Sequence, residues 1–119
     1  MLVNLLLVAA GSAAGGVLRY LVAYAGQSPE ARFPWWTLLV NVAGGLAIGA
    51  GAVLFAESER SRLLLMTGFC GGFTTFSAFS LESLALMQEG ASGLALANIL
   101  LNVLLSILAC WAGAMMARG

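Results

Sequence analysis

Residues 68 to 79 read Gly-Phe-Cys-Gly-Gly-Phe-Thr-Thr-Phe-Ser-Ala-Phe, a charge-free stretch with three glycines, three hydroxyls and four aromatic rings. These groups suit a small anion. An aromatic ring is negative on its face and positive at its edge, so inward edges among Phe69, Phe73, Phe76 and Phe79 can hold an anion while Thr75, Ser77 and nearby Asn donors replace its water. A cation would instead meet ring faces, carbonyls or carboxylates. Phe69, Phe73, Phe76 and Phe79 follow a helical i, i+4, i+7, i+10 spacing, which alone describes packing. Gly71-Gly72 and Thr74-Thr75 weaken the helix that would carry the rings. Backbone that unwinds at membrane depth survives only where protein or a hydrated path satisfies its N–H and C=O groups. The stretch therefore reads as the lining of a site.

Two further polar stripes accompany it. Thr37 and Asn41 share one helix face, with Gly44 and Gly45 a turn on, and Asn98, Asn102 and Ser106 repeat every fourth residue through an otherwise apolar run. Each stripe alone fits interhelical hydrogen bonding. Together with the weak helix they favour a hydrated or ion-lined path, because burying so many donors as glue alone is excessive. Arg19 is the charge well inside a candidate span. It either snorkels to the interface or supplies positive potential at a vestibule, which favours anions. Glu82, one turn beyond Phe79, is either interfacial or lines a pore mouth. Cys70 and Cys110 read as small apolar side chains, since no Cys-x-x-Cys, His or Asp exists to complete a metal site.

The elements that must position these groups are all membrane spans. The chain has 119 residues, 61% hydrophobic, with five Arg, five Glu and no Lys, Asp or His. Charge-free runs cover 1–18, 33–56, 63–81 and 90–117, each near or above the roughly 18 to 20 residues that cross hydrocarbon as a helix. The fold class expected is an all-α membrane protein, one domain over 1–119, with helices at about 2–25, 35–55, 63–87 and 94–117 and the third broken near its middle. Pro34 opens the second helix, and Trp35 and Trp36 sit at an interface. The apolar run 2–10 lacks the preceding Lys or Arg of a secretory signal. Zero net charge leaves no basic patch for nucleic acid.

Orientation is weakly marked. One side carries Arg60, Arg62 and Arg118 and the other Arg19 and Arg32, a bias too thin for the positive-inside rule, so insertion both ways is expected. Gly11/Gly15, Gly45/Gly49 and Gly68/Gly72 are small-xxx-small pairs, serving packing within one subunit or dimerisation. Four short helices with this much buried polarity can hardly enclose a path alone, which favours a homo-oligomer.

In this context the chain resembles the small fluoride channels, the Fluc or CrcB family. The matching segments are Gly15-Gly16-Val17-Leu18-Arg19-Tyr20, Thr37-Leu38-Leu39-Val40-Asn41-Val42-Ala43-Gly44 and the whole of Gly68 to Phe79, in family order and across essentially the full length. The resemblance implies an antiparallel, dual-topology homodimer in the bacterial inner membrane, with two fluoride pathways. It implies that Phe76 and Phe79 are the pore phenylalanines, that Asn41 is the polar pore residue of helix two, and that Glu82 is a pore-mouth acid. Carbonyls of Gly71 and Thr74 from both subunits would hold a structural sodium ion. Asn98, Asn102 and Ser106 fall on the family's helix-four polar track, although Asn98 and Asn102 stand where a Tyr and a Ser can occur.

The activity so implied is passive fluoride export that protects the cell from fluoride toxicity. A proton-coupled small multidrug exporter has similar size, but needs a membrane-embedded acid in helix one, which has none. A purely structural membrane subunit is the third reading. Enzymatic chemistry is the least favoured, since no nucleophile–base or metal constellation assembles without His, Asp or Lys.

Overall fold

A computed structural model describes residues 1–119. Four long apolar helical spans account for nearly all of it: α1 (Leu2–Gly26), α2 (Trp35–Leu54), a compound third span over Glu59–Gln88, and α6 (Ser92–Arg118). The compound span runs through α3 (Glu59–Ser61), a π-helical segment (Arg62–Cys70), α4 (Gly71–Phe73) and α5 (Phe76–Gln88). At about 1.5 Å per residue, each of the four is long enough for a hydrocarbon layer of about 30 Å.

Local chemistry sets the ends. Pro34 is the cap residue before α2 rather than its first helical residue, and α2 stops at Leu54, one residue before the expected end. The third span begins four residues earlier than expected. Ser58 Oγ accepts the Ser61 N–H at 3.3 Å and with Glu59 in the first turn makes a helix start inside the charged loop. At the other end Gly90 has φ +79°, the Ala91 N–H reaches Leu86 O at 2.8 Å and the Gly90 N–H reaches Met87 O at 3.1 Å. This is a Schellman stop, and glycine supplies its left-handed residue without strain. It turns the chain into α6.

The interior mixes apolar side chains such as Leu38, Val40 and Phe79 with polar ones, and the exterior is largely apolar. Thr37, Thr75, Ser83, Asn98 and Asn102 are buried, whereas Leu5, Leu21, Leu39, Leu104, Ile107 and Leu108 are exposed. A fold stabilised by water exclusion would show the reverse; in lipid, backbone approach and internal hydrogen bonds hold helices together. Close approach is visible at the glycine pairs. A Cβ at Gly11 or Gly15 of α1 would collide with the carbonyl of Leu64 or Phe69, and one at Gly49 of α2 with that of Cys110 of α6. Gly68 and Gly72 meet Gly11 and Ser12 in turn. All three glycine pairs thus have tight backbone neighbours within one subunit. α1 packs on the first half of the third span, and α2 on α6.

Candidate functional site

The site forms where α2, α6 and the middle of the third span meet. Gly71, Gly72 and Phe73 remain helical, so the glycine pair does not itself unwind. Thr74 (ψ 157°) and Thr75 (φ −148°, ψ 111°) are extended, and α5 begins afresh at Phe76. Thr75 caps this new helix: its Oγ1 accepts the Ala78 N–H at 3.1 Å. Ser77 Oγ lies 3.4 Å from the same oxygen, on the exposed face of the first turn. Thr74 Oγ1 donates back to Cys70 O at 2.9 Å.

Asn41 of α2 holds the extended peptide. Its Oδ1 accepts the Thr75 N–H at 2.8 Å, and its Nδ2 donates to Thr75 O at 3.2 Å and to Asn102 Oδ1 at 2.9 Å. Two carbonyls lose their helical donors as a result. The Thr75 N–H, which would bond Gly71 O in a continuous helix, goes to Asn41. The Ala78 N–H, which would bond Thr74 O, goes to Thr75 Oγ1. A third carbonyl at this helix end, that of Gly72, accepts from Arg19 Nε at 3.0 Å. Arg19 therefore lies half-buried across the interface with α1, its positive charge at a helix C-terminus, instead of snorkelling to an edge.

Beside this break an open groove of about 460 Å³ is lined by Asn41, Gly71, Thr74, Phe76, Phe79, Asn102 and Ser106 among others. Phe76 and Phe79 stand edge to face, with centroids 5.2 Å apart and planes at 67°. Phe79 is 8% exposed and Phe76 77% exposed, so one ring is packed in the subunit and its partner projects from it. Phe69 and Phe73 instead stack on each other before the break, 5.8 Å apart at 9°. The evenly spaced aromatic series is thus split into two pairs with different surroundings. Ser106 Oγ is buried in the groove wall without a hydrogen-bond partner.

The two sequence stripes separate in role once their partners are visible. Asn98 is fully buried and does not line the groove; its Nδ2 donates to Ser83 Oγ at 2.9 Å, and its Oδ1 accepts from Asn102 Nδ2 at 2.8 Å. Asn102 borders the groove, but its amide is occupied by Asn41 and Asn98. Ser83, which closes this set, was not singled out by the sequence. A lone serine in an apolar helix carries no signal of its own, and only the packing of α5 on α6 reveals its partner.

Glu82 lies away from the groove. Thr37 Oγ1 donates to its Oε1 at 2.5 Å, and its Oε2 is buried without a partner. It borders a separate cavity of about 590 Å³ beside the α1–α2 loop, together with Arg32, Trp35 and Trp36. The carboxylate therefore sits at the Trp35 end of α2, beside that cavity.

Residues 6–114 match the family described as CrcB-like protein, Camphor Resistance (CrcB). The chain belongs to the CrcB family. Within it, a protein of Chelativorans sp. (strain BNC1) named fluoride-specific ion channel FluC is 48% identical over 120 residues, covering 97% of this chain and 96% of its own. FluC of Paramagnetospirillum magneticum is 48% identical over 118 residues, 90% of this chain and 89% of that one. FluC of Agrobacterium fabrum is 43% identical over 122 residues, 98% of each. The CrcB match spans all four helices, so the groove, the extended Thr74-Thr75 peptide and Asn41 all lie inside the matched region.

Proposed function

We propose that this CrcB protein is a fluoride-selective channel that exports fluoride passively across the bacterial inner membrane and so protects against its toxicity. The observation that carries this reading is the convergence of the Phe76–Phe79 pair and the unpartnered Ser106 hydroxyl on one groove. A fluoride ion losing water there meets positive ring edges and a free O–H donor. The names of the FluC relatives supply the identity of the anion. Fluoride enters cells as membrane-permeant HF and dissociates in the more alkaline interior. One charge crossing 100 mV gains about 2.3 kcal/mol, enough for export without coupling.

The working unit of this proposal is an antiparallel homodimer, with each chain in either orientation. Groove-lining Phe76 projects from its own subunit, and the groove is open; a second copy would enclose both. The weak Arg asymmetry supports dual insertion. Each groove would then be a fluoride path, with Asn41, Thr75, Ser77, Phe76, Phe79, Asn102 and Ser106 along or beside it, and Glu82 in the separate cavity beside the α1–α2 loop. Lipid would cover the apolar exterior.

Sodium at the dimer centre belongs to the same reading. Gly71 and Thr74 line the groove, and the helical donors of their carbonyls are engaged by Asn41 and Thr75, so the donor set suits a hard cation that takes neutral oxygens. Bound sodium would supply fixed positive potential beside the anion path.

The test is fluoride efflux from liposomes containing only the purified protein, with chloride for comparison. Strong fluoride flux without a proton gradient is expected. Equal chloride flux or strict dependence on a pH gradient would overturn the reading.

A further inference from the structure

The buried amides form a chain of hydrogen bonds that runs in one direction and returns to the helix where it began. It starts at the Thr75 N–H, which donates to Asn41 Oδ1 at 2.8 Å. Asn41 Nδ2 then donates to Asn102 Oδ1 (2.9 Å), Asn102 Nδ2 to Asn98 Oδ1 (2.8 Å), Asn98 Nδ2 to Ser83 Oγ (2.9 Å), and Ser83 Oγ to Phe79 O (2.8 Å). The first donor and last acceptor both belong to the start of α5, which carries the Phe76–Phe79 pair. Between them the chain visits α2 and α6.

The direction of Asn41 follows from one peptide, and that of Asn102 is set also by its own helix, where its Nδ2 donates to Asn98 O at 2.9 Å. Thr75 offers Asn41 both its N–H and its C=O, which fixes the side-chain amide with oxygen toward the former and nitrogen toward the latter. Asn41 then presents N–H to α6, so Asn102 must answer with oxygen and turn its nitrogen to Asn98. Asn98 must in turn donate to Ser83. Buried hydrogen bonds aligned head to tail polarise and strengthen one another, and an interruption leaves a buried group unpaired.

We infer that Asn98 and Ser83 are positioning residues for permeation: through this polarised chain they fix the first turn of α5, and with it the Phe79 ring, against α2 and α6. Neither residue lines the groove, and Asn98 has no exposed surface, so neither touches the ion. The inference rests on the proposed channel function and extends it to two residues behind the path. Ser83 was absent from the expected site, and Asn98 departs from the Tyr that can stand there.

The test is a double-mutant cycle of Ser83→Ala and Asn98→Ala, read as fluoride and chloride flux per folded, reconstituted protein. Each single variant should lower fluoride flux about tenfold, the scale set by losing one buried hydrogen bond. The double variant should lose no more than the worse single one, and Ser83→Thr, which keeps the hydroxyl, should restore flux. Wild-type flux in folded Ser83→Ala, or losses that multiply in the double variant, would overturn the inference. If Ser83→Ala does not reconstitute, Ser83→Cys, a weak donor of similar volume, replaces it with the same criteria. Hydrogen exchange at the Thr75 amide separates this inference from the function beneath it. If the wild type carries no fluoride, the channel reading fails alone, and faster Thr75 exchange in the Ser83 variant still supports the coupling, while unchanged exchange defeats it.

Discussion

Asn41 pairs with Thr75 as a neighbouring strand would: one side-chain amide receives the Thr75 N–H at 2.8 Å and returns an N–H to its carbonyl at 3.2 Å. An extended peptide inside a helical bundle is thereby given the ladder partner that no strand supplies. Two freed carbonyls, at Gly71 and Thr74, are the consequence.

Replacing Asn41 by Ala should destabilise the protein by about 3 kcal/mol, since two backbone groups lose partners at about 1–3 kcal/mol each. Asn41→Asp should be as harmful, because a carboxylate would face Thr75 O and Asn102 Oδ1 with no proton to donate. Thermal unfolding in detergent with both variants checks this; a wild-type midpoint for Asn41→Asp would contradict the orientation of the amide.

Phe76→Ile and Phe79→Ile should each abolish or sharply reduce fluoride flux, because volume is roughly kept while the ring quadrupole is lost. Their stabilities should differ. Phe79 is buried within its subunit and Phe76 is not, so the unfolding midpoint of the subunit should fall more for Phe79→Ile. Unchanged flux in both would return the pair to packing.

Gly11→Ala and Gly49→Ala should each cost about 1–3 kcal/mol or more, since the added methyl meets a carbonyl of the neighbouring helix. Gly16→Ala is the internal contrast. A Cβ there meets nothing within 4 Å, so relief of the helix penalty of glycine should leave stability equal or raised by about 1 kcal/mol. Comparable losses at all three positions would show that the helix contacts are misplaced.

Removing all sodium in favour of a large organic cation should weaken the dimer or silence fluoride flux, if the Gly71 and Thr74 carbonyls serve as ligands. Size-exclusion chromatography and efflux with and without sodium measure the two effects. Full stability and flux after rigorous removal would leave those carbonyls a different role.

Much of the bundle was legible in the chain. The four spans follow from charge-free runs long enough for hydrocarbon, and the opening of α2 at Pro34 follows from a backbone constraint, with the proline as cap and not as first helical residue. The polar stripes on α2 and α6 follow from four-residue spacing, which survives any packing because helix geometry alone puts those residues on one face. The start of the third span was not legible, because a charged run is equally suited to a loop and to a capped first turn. The π-helical stretch at Arg62–Cys70 has no local signature either, since its wider turns carry the same apolar residues as an ordinary helix.

Sequence by itself determined which side chains are too polar to face lipid: Thr37, Asn41, Asn98, Asn102 and Ser106. It also marked Gly71 to Thr75 as poor helix. The tertiary structure decided which of these groups meet. Gly71 and Gly72 stay helical and Thr74 and Thr75 become extended, because Asn41 stands opposite the Thr75 peptide and Arg19 opposite the Gly72 carbonyl. Asn98 and Asn102 engage one another and Ser83, leaving Ser106 as the unpartnered hydroxyl of its stripe. The reason is physical: a residue's need for a partner is a property of its own atoms, but the partner is set by which helix backbones approach closely, and that is fixed only when all four helices pack.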